Sequence, residues 1–385
     1  MCKERSTFEL ADIFRRFWIG FSQTHPVTRH HFRIVNHIIN CRTSTLGFHV
    51  EKCSSKDCDY ETIAYDSCRD RQCPKCQGSK RLRWVADRMK ELLPIPYYHI
   101  SCTLPPLAHR LCLFNQALIY DLLFKATSYA LNAFSKDTKF LGAQLGFVGV
   151  LHTWGKALAY HPHIHYIVTG GGLLPDGTWK NLPYQHKFIF PVKALSRTIR
   201  GRFIKLLKKA YSEGKLSFPG KLHSISSPVA FQKYCNKLGN QAWYCHAKKP
   251  FSGPQRVLEY IGRYTHRVAI SNNRLIRVEN DRVIFKVKDY KDEGKIKVTS
   301  LPADTFIRRF LWHVLPPGFR KIRHFGFLNT GSRSEKIKSI RAFLEEVACS
   351  IDDTIQEWLD KMSPYINNLC PKCQKSSLEF IYDTS

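Results

Sequence analysis

Residues 159–168, AYHPHIHYIV, place three histidines at every second position of a short apolar run. Alternate side chains of a β-strand point to the same face, so His161, His163 and His165 are predicted to stand side by side. This spacing is typical of metal ligands, and a ladder of structural histidines is the alternative interpretation. His161 precedes Pro162, where the strand is not expected to have begun, so it is predicted to support the ligands or face the substrate.

The preceding apolar run, LGFVGVLHTW at residues 145–154, is predicted to be the adjacent antiparallel strand. His152 lies at its end and is the expected neighbour of His163 and His165. Three ligands with open positions let a divalent ion polarise a phosphodiester oxygen. The sequence therefore predicts a catalytic metal site at His152, His163 and His165.

Composition indicates a folded protein with a polyanionic partner. The 385 residues are 43% hydrophobic, enough for a substantial core and two or three domains. Sixty Lys and Arg against 31 Asp and Glu give a net charge of +29, which favours nucleic acid. Because the chain has no long apolar run and no secretory N-terminal segment, no membrane partner is predicted and a cytoplasmic location is expected.

Clustered cysteines predict structural zinc in a reducing compartment. Six of the 14 cysteines crowd residues 41–76, and the pairs Cys53-x4-Cys58 and Cys73-x2-Cys76 have the form of a tetrahedral site. We predict these four as the ligands. Four thiolates leave no open position for a substrate, so the expected role is to position DNA, with basic neighbours at Lys80, Arg81 and Arg83.

Other donors leave the zinc assignment open. Cys41, His49 and Cys68 can replace one of the four ligands or form a second site. Cys370-Pro-Lys-Cys373 has the same form, but no second pair stands near it in the sequence. Half a metal site and a plain basic turn are equally compatible with it.

A third constellation lies in LEYIGRYTHR, residues 258–267. In a helix, Tyr260 and Tyr264 share one face, and nearby arginines are placed to hold phosphates. A phenol is a weak nucleophile unless a metal-polarised phosphate accepts it or a base removes its proton. Core packing is the alternative for the tyrosine pair. The predicted DNA-binding residues here are Arg256, Arg263 and Arg267.

The motif His163-Ile164-His165 followed by a Tyr-x3-Tyr helix resembles the signature of two-tyrosine HUH endonucleases. The chain is similar to transposases of the rolling-circle insertion sequences of the IS91 type. The resemblance covers most of the chain and includes YDSCRDRQCPKCQ, YYHISCTLP, VGVLHTWGKALAYHPHIHYIVTGGGL, YIGRYTHRVAISNNRL and FRKIRHFGFL.

The resemblance implies an α+β fold, in which a helical and zinc-binding N-terminal region precedes an HUH endonuclease domain with a central antiparallel sheet flanked by helices. The expected divisions are a helical lead-in at 1–40, a zinc-binding DNA-contacting region at 41–95, the single-strand DNA nuclease and transposase domain at 96–300, and a basic helical region at 301–385. These boundaries depend on composition alone.

The resemblance also implies the chemistry. A tyrosine attacks single-stranded DNA of the element's end or target, leaving a 5′-phosphotyrosine and a 3′-OH, with Mg²⁺ or Mn²⁺ on His163 and His165. Some relatives keep one tyrosine, at the position of Tyr264, so Tyr264 ranks before Tyr260. Relatives draw the third ligand from different elements, which leaves His152 a hypothesis. No helicase motif is present, so host replication or helicase factors are expected to displace the strand.

Three rival functions remain open. A replication initiator or relaxase of the same nuclease class uses the same chemistry on a plasmid origin. A noncatalytic zinc-dependent DNA-binding protein binds DNA without forming a covalent adduct. A hydrolase with zinc at His161, His163 and His165 releases a free 5′-phosphate.

Overall fold

The computed structural model describes residues 8–76, 88, 91–182, 189–248, 251, 257, 268–289, 292, 294–329, 331, 333–344 and 369–383. This part of the chain mixes helices with antiparallel strands, which confirms the α+β class. The helices are α1 (Leu10–Thr24), α2 (Arg29–Asn40), α3 (His109–Phe114), α4 (Gln116–Lys136), α5 (Val192–Ser212), α6 (Pro228–Asn240), α7 (Ala303–Trp312) and α8 (Arg333–Leu344).

Twelve strands lie in the described residues. They are β1 (Phe48–Cys53), β2 (Glu61–Tyr65), β3 (Tyr97–Thr103), β4 (Gln144–Trp154), β5 (Tyr160–Leu173), β6 (Trp179–Asn181), β7 (Cys245–Ala247), β8 (Leu275–Glu279), β9 (Arg282–Asp289), β10 (Lys295–Pro302), β11 (Ile322–Gly326) and β12 (Leu378–Asp383).

The largest sheet has the order β11-β4-β5-β3-β7, with β6 added beside β5. The predicted antiparallel pairing of residues 145–154 with the histidine strand is confirmed. β5 begins at Tyr160, so the expectation that the strand had not begun at His161 is wrong. Pro162 is tolerated because the β4–β5 register shifts between His152 and Trp154, and a bulge does not require its missing N–H.

β5 alternates between buried and half-buried side chains along its first eight residues. The buried set packs on α4, where the Tyr166 hydroxyl lies 2.5 Å from Thr127 Oγ1 and the Tyr160 hydroxyl 2.6 Å from that of Tyr120. Period-two alternation then places the histidines of β5 on the opposite face. Helix α4 therefore covers one face of the sheet, and the histidines stand on the other.

The C-terminal part of β5 contains glycines because the backbone of neighbouring segments leaves no room for a side chain there. A methyl group at Gly170 would lie 2.6 Å from the Pro96 carbonyl oxygen, and one at Gly171 would lie 2.6 Å from that of Lys180. Any side chain at these two positions would force β5 away from its neighbours.

A second hydrophobic core joins the N-terminal helices to later parts of the chain. Buried residues of α1 and α2 pack with β8, β9 and α7, and the rings of Phe14 and Phe310 lie 5.4 Å apart edge to face. The Leu10 amide donates to the side chain of Asn272. The helical lead-in predicted for residues 1–40 is thus packed against residues more than 200 positions away.

The third sheet has the order β12-β1-β2, so the C-terminal strand pairs with the N-terminal region. Residues 301–385 were expected to be a basic helical region, yet they also supply β11 to the central sheet. The domain boundaries stay a prediction. No helix among the described residues combines the length and apolar character that crossing a bilayer requires.

Candidate active site

The β4–β5 pair brings together the three histidines predicted as metal ligands. His152 on β4 lies directly opposite His163, and His165 follows two residues along β5 on the same face. One nitrogen of each ring lies within 4.8 Å of those of the other two. His152 is buried, whereas His163 and His165 are half-buried, so the cluster stays accessible from one side.

Hydrogen bonds hold two of these rings in defined orientations. His163 Nδ1 lies 2.6 Å from the carbonyl oxygen of His161, to which it donates. His165 Nδ1 lies 2.9 Å from His99 Nε2 on the neighbouring strand β3. When Nδ1 carries the proton, Nε2 carries the lone pair that a metal ion needs. With His165 as the donor in its contact with His99, both rings present Nε2 for coordination.

His99 contributes to the site although sequence reasoning did not select it. Burial, reinforced by the positive charge of Lys248, lowers the pKa of His99 to about 3. Its ring is therefore neutral near neutral pH, and in the tautomer that carries the proton on Nδ1, its Nε2 accepts a hydrogen bond from His165. The alternation of β3, YYHISCT, places His99 on the histidine face because β3 pairs with β5; the local pattern shows which residues of β3 share a face with His99, but not which strand β3 borders.

Aromatic stacking positions the third ring. The indole of Trp154 lies 4.7 Å from the His152 imidazole, with the ring planes inclined by 21°. Trp154 follows the register shift in β4, and this shift turns its side chain toward His152.

The turn between β4 and β5 has a strained backbone, and hydrogen bonds from Arg309 on α7 and from His313, directly after α7, hold it in place. Ala157 and Leu158 both have positive φ, 51° and 57°, which is uncommon for residues with a side chain. Arg309 donates to the Ala157 carbonyl oxygen, and His313 Nε2 lies 3.1 Å from that of Leu158. These bonds fix the connection that sets the register of His152 against His163.

A first cysteine cluster forms where α2 ends. The sulfur atoms of Cys41, Cys68, Cys73 and Cys76 all lie within 4.8 Å of one another, with Cys41 and Cys76 3.4 Å apart. Zn–S bonds of about 2.3 Å in a tetrahedron place sulfurs about 3.8 Å apart. The cluster therefore fits a structural zinc ion.

A second cluster joins the two ends of the described chain. Cys53 and Cys58 meet Cys370 and Cys373, with sulfur separations of 3.5 Å for Cys53–Cys373 and 3.8 Å for Cys58–Cys370. Backbone N–H groups of Lys375 and Ser376 donate to the sulfur of Cys373 and lower its pKa to about 6. That thiol is accordingly poised to bind as a thiolate.

The predicted grouping of Cys53, Cys58, Cys73 and Cys76 in one site is corrected by this arrangement. β12 pairs with β1 and places Cys370 and Cys373 beside Cys53, while the end of α2 places Cys41 beside the other pair. His49 belongs to neither cluster and contacts Asp66 at 2.8 Å. The pair Cys53 and Cys58 and the pair Cys73 and Cys76 thus belong to two different clusters.

The predicted tyrosine helix and the predicted DNA-binding residues lie outside the described residues. They are Tyr260, Tyr264, Arg256, Arg263, Arg267, Lys80, Arg81 and Arg83.

Two family models of transposases match the regions that contain the first cysteine cluster and the histidine cluster. Residues 13–104 match a family model described as "Transposase zinc-binding domain", and residues 146–336 match one described as "Putative transposase". The first range contains the first cysteine cluster and Cys53 and Cys58; the second contains all three histidines of the metal cluster.

Two relatives are similar over much of their length. A Sinorhizobium fredii protein named "Putative transposase y4qJ" is 42% identical over 381 residues, covering 97% of this chain and 95% of the relative. The "Transposase for insertion sequence element IS801" of Pseudomonas savastanoi pv. phaseolicola is 30% identical over 299 residues, covering 76% of this chain and 69% of the relative. No solved structure matches.

Proposed function

Because this chain belongs to the IS91 family of transposases, we propose that it cleaves and rejoins single-stranded DNA at insertion-sequence ends by rolling-circle transposition. The proposed intermediate is a 5′-phosphotyrosine. In this proposal the central sheet is the sheet of an HUH nuclease. Strand displacement falls to host replication or helicase factors, and the protein acts in the cytoplasm.

One observation carries the proposal. Three imidazoles converge on the face of the central antiparallel sheet opposite the one that packs on α4, within the residues matched by the transposase model. A purely structural ladder does not require Nδ1 hydrogen bonds that leave Nε2 of both His163 and His165 for a metal ion.

The donor set fits a divalent ion and bears on its identity. Of the two ions expected, Mg²⁺ prefers oxygen ligands, whereas Mn²⁺ binds nitrogen donors more tightly. Three imidazoles therefore favour Mn²⁺ over Mg²⁺. When bound, the ion supplies stabilisation of the negative charge that develops on the scissile phosphate.

The proposed nucleophile is the phenol of Tyr264, with Tyr260 as the second. The phenolic oxygen forms a bond to phosphorus, the bond from phosphorus to the 3′-oxygen breaks, and the phenolic proton is transferred so that a 3′-OH leaves. The phosphotyrosine conserves the phosphodiester energy, so a later attack by a 3′-OH rejoins strands. Arg256, Arg263 and Arg267 are proposed to hold the flanking phosphates.

The zinc-binding region has a structural and positioning role in this proposal. Cysteine clusters and the matched zinc-binding domain support structural Zn²⁺. The net charge of +29 suits a DNA substrate, and Lys80, Arg81 and Arg83, which follow Cys76 closely in the sequence, are proposed to contact its backbone.

The test is a covalent-adduct assay. Purified protein is mixed with 3′-labelled single-stranded DNA from the element's end and Mn²⁺, and a protein-linked labelled strand is sought on a denaturing gel. We expect a metal-dependent adduct that is weakened in Tyr264→Phe and absent when Tyr260→Phe is added. Tyr244→Phe, which removes the hydroxyl of an exposed tyrosine, is the matched control.

The other outcomes identify the rivals. Binding without an adduct supports a noncatalytic zinc-dependent DNA-binding protein, and a free 5′-phosphate supports a hydrolase. An adduct formed on a plasmid origin but not on element ends supports a replication initiator or relaxase.

A further inference from the structure

The matched zinc-binding domain leaves two of its cysteines without a complete ligand set. Of the six cysteines at positions 41–76, four form the first cluster, and Cys53 and Cys58 remain. Their partners, Cys370 and Cys373, lie beyond residue 336, where the second matched range ends. The residues that complete the second cluster therefore come from a segment that neither family model includes.

Sulfur distances in the second cluster distinguish a metal site from disulfides. The separations of 3.5 Å and 3.8 Å are close to the value of about 3.8 Å for a tetrahedral zinc–thiolate site. They far exceed the disulfide bond length of about 2.05 Å. All four sulfurs lie within 4.8 Å of one another, as one shared ion requires.

The C-terminal pair sits in a tight turn. The Gln374 amide donates to the Cys370 carbonyl oxygen at 2.9 Å, and the Cys370 amide donates to that of Ser376 at 2.8 Å. Gln374, directly after Cys373, has a positive φ of 57°. Arg42 and Arg69 show the same feature directly after Cys41 and Cys68 of the first cluster. Both clusters thus use a left-handed residue to bend the chain away after a thiol.

Few buried apolar side chains stabilise β12, the strand that follows this turn. Phe380 is 60% exposed and Ile381 46% exposed, although both lie on β12. The buried cluster at this point consists of Cys53, Cys58 and Cys370, with only partly buried residues around it. Small units of this kind need a metal or a disulfide to stay folded.

We propose that Cys53, Cys58, Cys370 and Cys373 bind a second structural Zn²⁺ that fastens the C-terminal strand β12 to the N-terminal strand β1. Zinc displaces the thiol protons into solvent and replaces the missing hydrophobic core of this sheet. The proposal is independent of the catalytic function, because it concerns only the metal content and the docking of residues 369–383.

Zinc stoichiometry is the first test. Metal content is measured by mass spectrometry on the full chain carrying His163→Ala and His165→Ala, so that the histidine cluster does not contribute. We expect two zinc ions per chain, and one after Cys370→Ser and Cys373→Ser are added. The matched control, Cys235→Ser with Cys245→Ser, removes two cysteines outside the clusters and is expected to keep both ions.

Amide hydrogen exchange of residues 378–383 is the second test, and it reports docking directly. We expect exchange at least tenfold faster in the Cys370→Ser, Cys373→Ser variant, and restored protection in Cys373→His, since three cysteines and one histidine also form structural zinc sites. One zinc ion in the parent, an unchanged zinc count in the serine variant, or disulfides joining these four residues would overturn the proposal. DNA cleavage is not measured, so failure here leaves the proposed function intact.

Discussion

His152 and His163 are directly paired residues on neighbouring antiparallel strands, and their rings lie 5.5 Å apart at 90°. Cross-strand pairing fixes this distance through the backbone, since opposite Cβ atoms lie about 5 Å apart. The imidazole on β4 is thereby held against the two on β5 without dependence on a flexible loop.

His152→Ala is expected to raise the Mn²⁺ concentration for half-maximal adduct formation at least tenfold, because one of three nitrogen donors is lost. An Mn²⁺ titration of the adduct assay measures it. His324→Ala is the matched control, since His324 lies on β11, outside the cluster. An unchanged Mn²⁺ requirement in His152→Ala would exclude His152 as the third ligand.

His99→Ala is expected to weaken metal binding by about 10- to 100-fold, the usual cost of losing the partner that orients a ligating histidine. Without His99 Nε2 as acceptor, the tautomer and the ring orientation of His165 are no longer fixed. His99→Gln, whose side-chain oxygen also accepts a hydrogen bond, should recover part of the affinity. Isothermal titration with Mn²⁺ reports this directly, and equal losses in the two variants would indicate a packing role instead.

The histidine site was largely predictable because period-two spacing is a local property of a strand. His163, His165 and the neighbouring position of His152 follow from two adjacent β patterns. The support from His99 was harder to predict, because it depends on which strand borders β5 on its other side. Strand order in a sheet is set by long-range packing rather than by local pattern.

The cysteine grouping was not predictable from spacing. Cys53 and Cys58 find partners more than 300 residues away, and only the pairing of β12 with β1 reveals this contact. The motif Cys370-x2-Cys373 was recognisable as half a site, but its other half required the tertiary structure.

Arg71 couples the first cysteine cluster to the central sheet. It lies between Cys68 and Cys73 and donates to the carbonyl oxygens of Leu315, Pro316 and Phe319, the last at 2.5 Å. That loop leads into β11, which pairs with β4, the strand that carries His152. The cluster thus anchors the edge of the sheet that carries the site.

Arg71→Ala is expected to lower the free energy of unfolding by about 3 kcal/mol, because three carbonyl groups lose a charged donor. Zinc content should stay unchanged, since none of the four cysteines is altered. Urea unfolding and metal analysis test the two parts, with the exposed Arg110→Ala as control. Loss of zinc together with stability would show that Arg71 acts on the cluster rather than on the loop.

His313 should make the fold sensitive to acid. Its ring is buried between Thr153 Oγ1 and the Leu158 carbonyl oxygen, and burial lowers its pKa to about 4 despite that carbonyl acceptor. In the unfolded chain its pKa is about 6.5, so between these values the unfolded state binds the additional proton. Stability that is fully present above pH 6.5 is therefore lost as the pH falls toward 4, by about 3 kcal/mol in total.

His313→Gln removes this proton uptake, so its unfolding free energy should decline less steeply than that of the parent from about pH 7 to about pH 5. Urea unfolding at several pH values measures the slope, and His223→Gln, at an exposed position, should leave it unchanged. The absolute stability of His313→Gln is expected to be lower, because glutamine does not reproduce both ring contacts. The difference in slope is the decisive quantity, and parallel curves for parent and variant would show that His313 is protonated equally in the folded and unfolded states.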